Sequence, residues 1–362
     1  MASAKAWAVQ NGEHDSEDEP MATAGFPADL PDRLDMAFAS GLLSGLHSVL
    51  VTWRGQTALE RYFAGEDENW GRPLDRVEQS ASTLHDLRSV TKSITSLLYG
   101  IALNRGQVPP PQAPLLTAFP DYPDLQADPQ RADWTVSDAL NMTMGTAWNE
   151  DLPYTDPNNS EIAMERADDR YRFILDRPMA HAPGTRWTYN GGASMLIARL
   201  IEVGTGKRLD AFAEEALFGP LGITDFEWHG GADGVRSAAS GLRLTAPDLA
   251  RIGQMLLENG RWNAEQVVPT SWIERISTPQ IDASFGRTYS HQWYTSEQRI
   301  PADPSIVHPM VFGIGNGGQR LYLLPSLDLV IVTFSGDYNR MDQWINPTMV
   351  LNRLVLPALN PG

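Results

Sequence analysis

The sequence predicts an α+β fold in which strands from both ends of the chain form one sheet and the middle forms a helical lobe. Two strand-like segments precede a long stretch of short helices, and three strand-like segments and a last helix follow it. The simplest sheet pairs the early strands with the late ones, which leaves the middle of the chain as an insertion. A cleft between sheet and lobe is then the expected place for a functional site.

The predicted strands rest on the alternation of apolar and polar residues. Residues 47–54 and 57–63 show this pattern on either side of Gly55, which is typical of a hairpin. Three further strands are expected at 291–295, 318–324 and 327–334.

The predicted helices rest on apolar residues spaced three and four apart. The first begins near Asp86 and ends at Gly106, and Thr245 caps another that has Pro247 in its first turn. The remaining helices are expected at 136–144, 167–176, 191–203, 208–218, 245–258 and 346–355. We therefore expect one domain at 26–362, with a sheet-bearing part at about 26–105 and 235–362, a helical lobe at about 106–234, and a disordered acidic tail at 1–25.

The chain is acidic and has no cysteine. Its 28 basic and 45 acidic residues give a formal charge of -17, which repels nucleic acid and anionic membrane surfaces, so neither is an expected partner. The lack of cysteine excludes disulfides, thiolate nucleophiles and cysteine-bound zinc. With no apolar run of spanning length and no signal peptide, the sequence as written predicts a cytoplasmic protein, or a periplasmic or secreted one if a leader has been trimmed away.

Lysine is rare in this sequence, which makes its position informative. The three lysines are Lys5, Lys92 and Lys207, and the other basic residues are arginine. Arginine keeps its proton at accessible pH, whereas a desolvated lysine can lose it. Ser89 precedes Lys92 by three residues, so one helix face carries both side chains. The pair predicts Ser89 as a nucleophile with Lys92 as its base, at a helix N-terminus whose N–H groups favour an oxyanion.

A tyrosine completes this candidate site. Tyr189 precedes the helix at 191–203, in the sequence Tyr189-Asn190-Gly191. A phenol beside an ammonium group has a lowered pKa and can pass a proton to a leaving group. The alternative is a tyrosine that packs at a turn.

A glycine-rich segment enters one of the late strands. Residues 312–319 contain the pattern G-x-G-x-x-G, but a strand follows it where a dinucleotide site needs a helix, so we reject that interpretation. Glycines at the start of a strand let a substrate approach the backbone closely, and the alternative is an ordinary bend.

Other hydrolase and metal chemistries lack their motifs. The sequence has no G-x-S-x-G, and none of its seven histidines has metal-ligand spacing, so no metal and no cofactor are expected. We expect His85 to be a cap or loop residue, and His181 and His308 to be structural residues near the cleft. The acidic loop 149–159 either lines the substrate site together with Trp148 or is solvated.

These motifs together resemble the serine beta-lactamase and penicillin-binding-protein superfamily, and within it the class C-like branch of esterases and nylon-oligomer (aminohexanoate-dimer) hydrolases. The resemblance runs from about His47 to Val355, and it is carried by the segments 86–93, 140–145, 240–245 and 327–332. It implies a beta-lactamase/transpeptidase-like antiparallel sheet flanked by helices. It also implies that Ser89, Lys92 and Tyr189 are catalytic and that the N–H groups of Ser89 and Asn316 form an oxyanion hole.

Two positions depart from the family's motifs. Gly191 replaces the asparagine of Tyr-x-Asn, and Gly313, in Gly313-Ile314-Gly315, replaces a lysine or histidine. We expect Trp148, Asn190, Gly313 and Gly315 at the substrate site. The resemblance implies a serine hydrolase of small carboxylic esters or linear amides with weak or no beta-lactamase activity. The alternatives are an acyltransferase, a DD-peptidase or beta-lactamase on the same fold, and a non-catalytic ligand sensor.

Overall fold

The computed structural model describes residues 25–361 of the 362-residue chain. It has the expected α+β fold, and the largest sheet within those residues has eight strands. The acidic tail predicted at 1–25 lies, except for Gly25, outside the described residues.

The strands are numbered along the chain. They are β1 (Leu46–Trp53), β2 (Gln56–Tyr62), β3 (Gly65–Asn69), β4 (Arg72–Val77), β5 (His85–Asp86), β6 (Glu227–Trp228), β7 (Leu242–Leu244), β8 (Arg261–Trp262), β9 (Glu265–Gln266), β10 (Ile281–Asp282), β11 (Thr288–Ser290), β12 (Trp293–Ile300), β13 (Asp303–Gly315), β14 (Gln319–Leu324) and β15 (Leu329–Ser335). The large sheet has the order β10-β11-β12-β13-β14-β15-β1-β2, and each neighbouring pair is antiparallel. The early strands therefore pair with the late ones, as predicted.

The helices are numbered in the same way. They are α1 (Leu30–Ala39), α2 (Val90–Asn104), α3 (Pro123–Gln126), α4 (Val136–Leu140), α5 (Ser160–Glu165), α6 (Arg170–Leu175), α7 (Gly191–Thr205), α8 (Leu209–Ala213), α9 (Ala246–Leu257), α10 (Thr270–Ser277), α11 (Ile345–Met349) and α12 (Leu356–Ala358). Within residues 25–361, no helix combines the length and the apolarity needed to cross a membrane.

Both faces of the large sheet are covered. In β1, Leu50 belongs to the core under α2, α7 and α9, whereas Val49 and Val51 belong to the core under α1 and the C-terminal helices. Successive residues of a strand point to opposite faces, so a strand covered on both sides must be apolar throughout. One of these apolar faces receives α2, which begins directly after Ser89 and packs against β13 and β14 in the middle of the sheet.

Side-chain caps fix the ends of two predicted helices. Asn190 caps α7 by accepting a hydrogen bond from the Ala193 N–H at 3.0 Å, and Thr245 caps α9 by accepting one from the Asp248 N–H at 3.1 Å. The helix α7 ends at Gly206, whose φ of +69° is the left-handed conformation that glycine adopts most easily. These caps confirm the two predicted helix starts within one residue.

The structure differs from the prediction in several elements, and three of them lie near the site. The helix α5 was not predicted. The first long helix begins at Val90 and not near Asp86, because His85 and Asp86 form β5 and pair with β7. The thirteen-residue strand β13 was not predicted as a strand, since its outer half contains two prolines and several polar residues and shows no clear alternation.

Candidate active site

Ser89 lies at the turn from β5 into α2. The preceding residue, Arg88, has a φ of +48°, a left-handed conformation that costs a non-glycine residue about 1–3 kcal/mol. Its side chain is held by ion pairs with Asp86, at 3.2 Å, and Glu68. The Ser89 hydroxyl does not cap a backbone N–H of its own helix, so it remains available to side chains.

Lys92 is buried directly beside Ser89. Its Nζ atom lies 2.9 Å from Ser89 Oγ, 2.9 Å from the backbone oxygen of Ala239 and 3.4 Å from Glu161 Oε2. The lysine side chain is 2% exposed. The structure thus brings the two side chains together at hydrogen-bond distance, as the helical spacing predicts.

Tyr189 closes the third side of this group. Its hydroxyl lies beside the Ser89 side chain, and Lys92 Nζ lies 4.9 Å from the centre of its ring. Burial, followed by the nearby Tyr294 and Glu150, raises the pKa of Tyr189 well above its usual range. The expectation that an ammonium group lowers this pKa is therefore wrong, because the loss of solvent outweighs the neighbouring charge. A neutral phenol at this position can donate and relay a proton.

The glycines of β13 lie against the start of α2. A Cβ added at Gly315 would be 2.3 Å from the Leu87 carbonyl oxygen, and one added at Gly313 would be 3.2 Å from Val90 and Ser93 side-chain atoms. Glycine at 315 thus allows β13 to approach the segment that leads into Ser89. The side chain of Asn316 is bonded to Asn339, and the role of its N–H in an oxyanion hole stays a prediction.

A cavity of about 320 Å³ opens beside Tyr189. Its walls include Trp148, whose Nε1 donates a hydrogen bond to Glu150 Oε1 at 2.6 Å, and also Trp187 and His181. Trp148 therefore lies where a substrate-binding residue was expected. Asn190, in contrast, is 3% exposed and uses its side-chain oxygen as the cap of α7, so we do not carry it forward as a substrate contact.

A possible metal-binding cluster lies outside this site. Within residues 25–361 it consists of His47, Asp67 and His85, all buried. The His47 Nδ1 and His85 Nε2 atoms are 2.9 Å apart, which matches a hydrogen bond. Two nitrogens bound to one tetrahedral zinc ion at about 2.0–2.1 Å would be roughly 3.3 Å apart. The cluster fits a hydrogen-bonded pair better, and the expected lack of a metal stays a prediction.

His85 and His308 do not line the cavity beside Tyr189. The prediction of a cap or loop position for His85 is wrong, because His85 belongs to β5 and is fully buried. His308 lies in β13 and shares a hydrogen bond with Ser326. Of the three histidines considered, His181 alone lines the cavity.

Comparison with known proteins places this geometry in a family. The beta-lactamase family model matches residues 43–343. The chain belongs to the beta-lactamase family. A 6-aminohexanoate-dimer hydrolase of Paenarthrobacter ureafaciens is 27% identical over 274 residues, which are 69% of this chain and 66% of that protein. Esterase EstB of Burkholderia gladioli is 27% identical over 220 residues, which are 57% of this chain and 54% of that protein.

The chain spans between about half and two thirds of the length of these curated relatives. Among solved structures, the octameric penicillin-binding protein homologue from Pyrococcus abyssi has a TM-score of 0.65 and 17% identity, over 89% of this chain and 76% of that chain. This likeness concerns the fold.

This beta-lactamase-family chain has two carboxyl groups at the site that the sequence did not single out. Glu161 contacts Lys92, and Glu150 lies between Trp148, Gly191 and Glu161. Glu150 belongs to the acidic loop that was considered as a lining, but Glu161 lies just beyond it in α5. No motif marks either residue, and the glycine at position 191 is the one signal that could have pointed to them.

Proposed function

We propose that this protein is a serine hydrolase that cleaves carboxylic esters or linear amides of small molecules through an acyl-enzyme on Ser89. The observation that supports it most is the 2.9 Å contact between Ser89 Oγ and the buried Lys92 Nζ. Membership of the beta-lactamase family, with an esterase and a 6-aminohexanoate-dimer hydrolase among its relatives, points the same way.

Each of the three side chains has a step to perform. The neutral amine of Lys92 takes the hydroxyl proton as Ser89 Oγ forms a bond to the substrate carbonyl carbon. The carbonyl oxygen becomes an oxyanion that backbone N–H groups stabilise. When the intermediate collapses, the bond from carbon to the alcohol or amine breaks. The Tyr189 hydroxyl gives its proton to the leaving group and takes in return the proton held by Lys92, so both side chains are restored. Water then repeats the attack and releases the acid.

The same geometry disfavours beta-lactams. A lactam carboxylate needs a cation and the lactam side chain needs a polar partner, but Gly313 and Gly191 occupy the two positions that supply them in the family. Arg320 is the nearest sequence candidate for a replacement cation, and its Nη1 donates to the carbonyl oxygens of Gly315 and Gln319. We therefore propose weak or no beta-lactamase activity.

Covalent labelling tests this function directly. Incubation with a fluorophosphonate should add one adduct by intact-mass spectrometry, and Ser89→Ala should abolish it together with hydrolysis of p-nitrophenyl butyrate. Ser96→Ala is the matched control, since Ser96 is on the same helix and its buried hydroxyl has no partner within residues 25–361. Labelling that persists in Ser89→Ala would refute the assignment. A protein that labels but does not hydrolyse esters would instead point to acyl transfer.

A further inference from the structure

Gly191 leaves room for two carboxyl groups next to Lys92. A Cβ added at this position would lie 2.4 Å from Glu161 Oε2 and 3.1 Å from Glu150 Oε1. The first distance is far inside van der Waals contact, so an asparagine here would displace the Glu161 carboxyl group. In this chain two carboxyl groups thus occupy the space that the family's asparagine side chain would need.

Glu161 completes the polar contacts of Lys92. A lysine ammonium group has three N–H donors and no acceptor. The three atoms around Nζ are Ser89 Oγ, the Ala239 oxygen and Glu161 Oε2, so the ammonium form has a partner for each donor. After loss of one proton, the amine can still donate to Ala239 and Glu161 and turn its lone pair towards the Ser89 hydroxyl. Glu161 therefore orients Nζ in both protonation states.

Glu150 is held against Glu161 by donors on its other sides. It accepts hydrogen bonds from Trp148 Nε1, from the Gly191 N–H at 2.5 Å and from the Tyr154 hydroxyl at 2.9 Å, and its carboxyl group neighbours that of Glu161 beside Gly191. Two neighbouring buried carboxyl groups cannot both ionise cheaply. Burial, followed by the charge of Glu161, accordingly raises the pKa of Glu150 to about 8.

We propose that Glu150 and Glu161 share one proton and that this carboxyl pair positions Lys92 as the base for Ser89, a role that rests on the proposed function. The shared proton leaves the pair with one negative charge. If that proton leaves for solvent, two negative charges face Lys92 and hold it in the ammonium form, which cannot accept the Ser89 proton. The pair itself gains and loses no proton while the Ser89 hydroxyl proton moves to Nζ.

Other titratable groups surround the carboxyl pair, and their charges could affect its pKa. Those that face it are Lys92, Tyr154, Tyr189, Tyr289, Tyr294 and Glu165. Burial raises the pKa of each of the four tyrosines, that of Tyr294 to about 12, so they remain neutral near pH 8. Burial also raises the pKa of Glu165 to about 7, so its effect must be separated by experiment.

The test measures kcat and KM for p-nitrophenyl butyrate, and the rate of fluorophosphonate labelling, from pH 5 to 10. Glu161→Gln should lower kcat by roughly 100-fold, the usual scale of a general-base contribution. KM should change little, because Glu161 touches Lys92 and not the substrate. The wild-type rate should fall above about pH 8 as the pair loses its proton, and Glu150→Gln should move this fall upward by more than one pH unit, because glutamine cannot ionise.

Glu165→Gln is the matched control. Glu165 lies on the same helix as Glu161 but forms an ion pair with Arg170 and accepts a hydrogen bond from Ser237. This variant should keep the wild-type kcat and the fall near pH 8. If Glu161→Gln does not fold, as judged by circular dichroism, the Glu150→Gln profile decides alone.

The outcomes separate this inference from the proposed function. A wild-type protein without a Ser89 adduct contradicts the serine hydrolase itself. A wild-type protein that labels, with Glu150→Gln giving an unchanged pH profile, overturns the carboxyl pair alone. A fall near pH 8 that disappears in Glu165→Gln also overturns it, since it assigns the titration to the wrong carboxyl group.

Discussion

Two buried polar clusters lie at the two ends of the segment 85–92, and they differ in what their atoms can reach. The cluster that we propose to be catalytic, called the reactive cluster below, is Ser89, Lys92 and Tyr189, and Tyr189 also lines the cavity. The histidine cluster is His47, Asp67 and His85, whose side chains are at most 2% exposed. Both consist of hydrogen-bonded titratable groups on the same fold. The difference is that a cavity opens beside the first cluster and the second does not line it, which is why we propose the chemistry for the first.

The hydrogen bonds of the histidine cluster are satisfied within the protein. His85 Nδ1 donates to the Asp86 oxygen at 3.1 Å, and the Glu66 carbonyl accepts from His47. The two inner nitrogens lie 2.9 Å apart at hydrogen-bond distance, and the Asp67 carboxylate lies 3.5 Å from His85 Nε2 and 4.0 Å from His47 Nδ1. Such a cluster stabilises the approach to Ser89 without reacting.

The largest effect is expected from substitution of Lys92, the proposed general base of the reactive cluster. Lys92→Arg should lose activity almost as completely as Lys92→Ala, by about 100- to 10,000-fold in kcat/KM, because arginine keeps the charge but cannot accept a proton. Ester hydrolysis by purified variants measures this. Lys207→Arg, in an exposed ion pair with Glu215, is the control and should match the wild type. An active Lys92→Arg would mean that Lys92 supplies only charge.

The corresponding change in the histidine cluster should affect stability and spare activity. Asp67→Asn replaces a buried carboxylate that accepts hydrogen bonds from the Glu68 N–H, Gln79 and Tyr338 with a neutral amide, and it should cost about 1.5–3 kcal/mol of unfolding free energy. Tyr338→Phe removes a 3.0 Å hydrogen bond to the same carboxylate and should cost about 1 kcal/mol. Urea unfolding measures both variants. A large loss of kcat per folded molecule in Asp67→Asn would show that the two clusters are functionally one.

The sequence predicted the reactive cluster better than its surroundings. The three-residue spacing from Ser89 to Lys92 lies within one helix, so local geometry suffices to predict their contact. Glu161 and Gly191 meet only through the tertiary fold, and His47 meets His85 only because β1 and β5 are brought together. Likewise, the pKa of Tyr189 depends on burial that no motif displays. Long-range packing therefore determined what sequence reasoning missed.

A substrate comparison sharpens the description of the reactive cluster. We expect p-nitrophenyl esters to be turned over much faster than nitrocefin, because Gly313 and Gly191 each remove a partner that a beta-lactam needs. A missing charged hydrogen bond costs ~1.5–3 kcal/mol, or roughly ten- to a hundredfold in rate. Aminohexanoate dimer, assayed in parallel, shows whether linear amides are also cleaved. Nitrocefin turnover that equals the best ester would contradict the assignment of Gly313.

The smallest expected effect is on the stability of the protein in acid. It tests whether the folded structure keeps solvent protons away from the histidine cluster. Burial, followed by the charge of His85, lowers the pKa of His47 from 6.5 to about 4. Between these values the unfolded chain binds a proton that the folded chain does not, so the stabilisation is complete above pH 6.5 and is lost as the pH falls towards 4. One such group contributes at most about 1.4 kcal/mol per pH unit.

His291 complicates this measurement, because burial lowers its pKa to about 4 as well. The informative quantity is therefore the difference between the wild type and His47→Gln in the pH dependence of the unfolding free energy, from urea titrations between pH 4 and 7. His291 contributes equally to both proteins and cancels. As the pH falls, the unfolding free energy of the wild type should decrease more steeply than that of His47→Gln. The difference in slope should approach about 1.4 kcal/mol per pH unit, which corresponds to the uptake of one proton. Equal slopes for the two proteins would mean that His47 binds a proton from solvent in the folded state. The histidine cluster would then be as accessible to solvent protons as the reactive cluster, which contradicts the comparison.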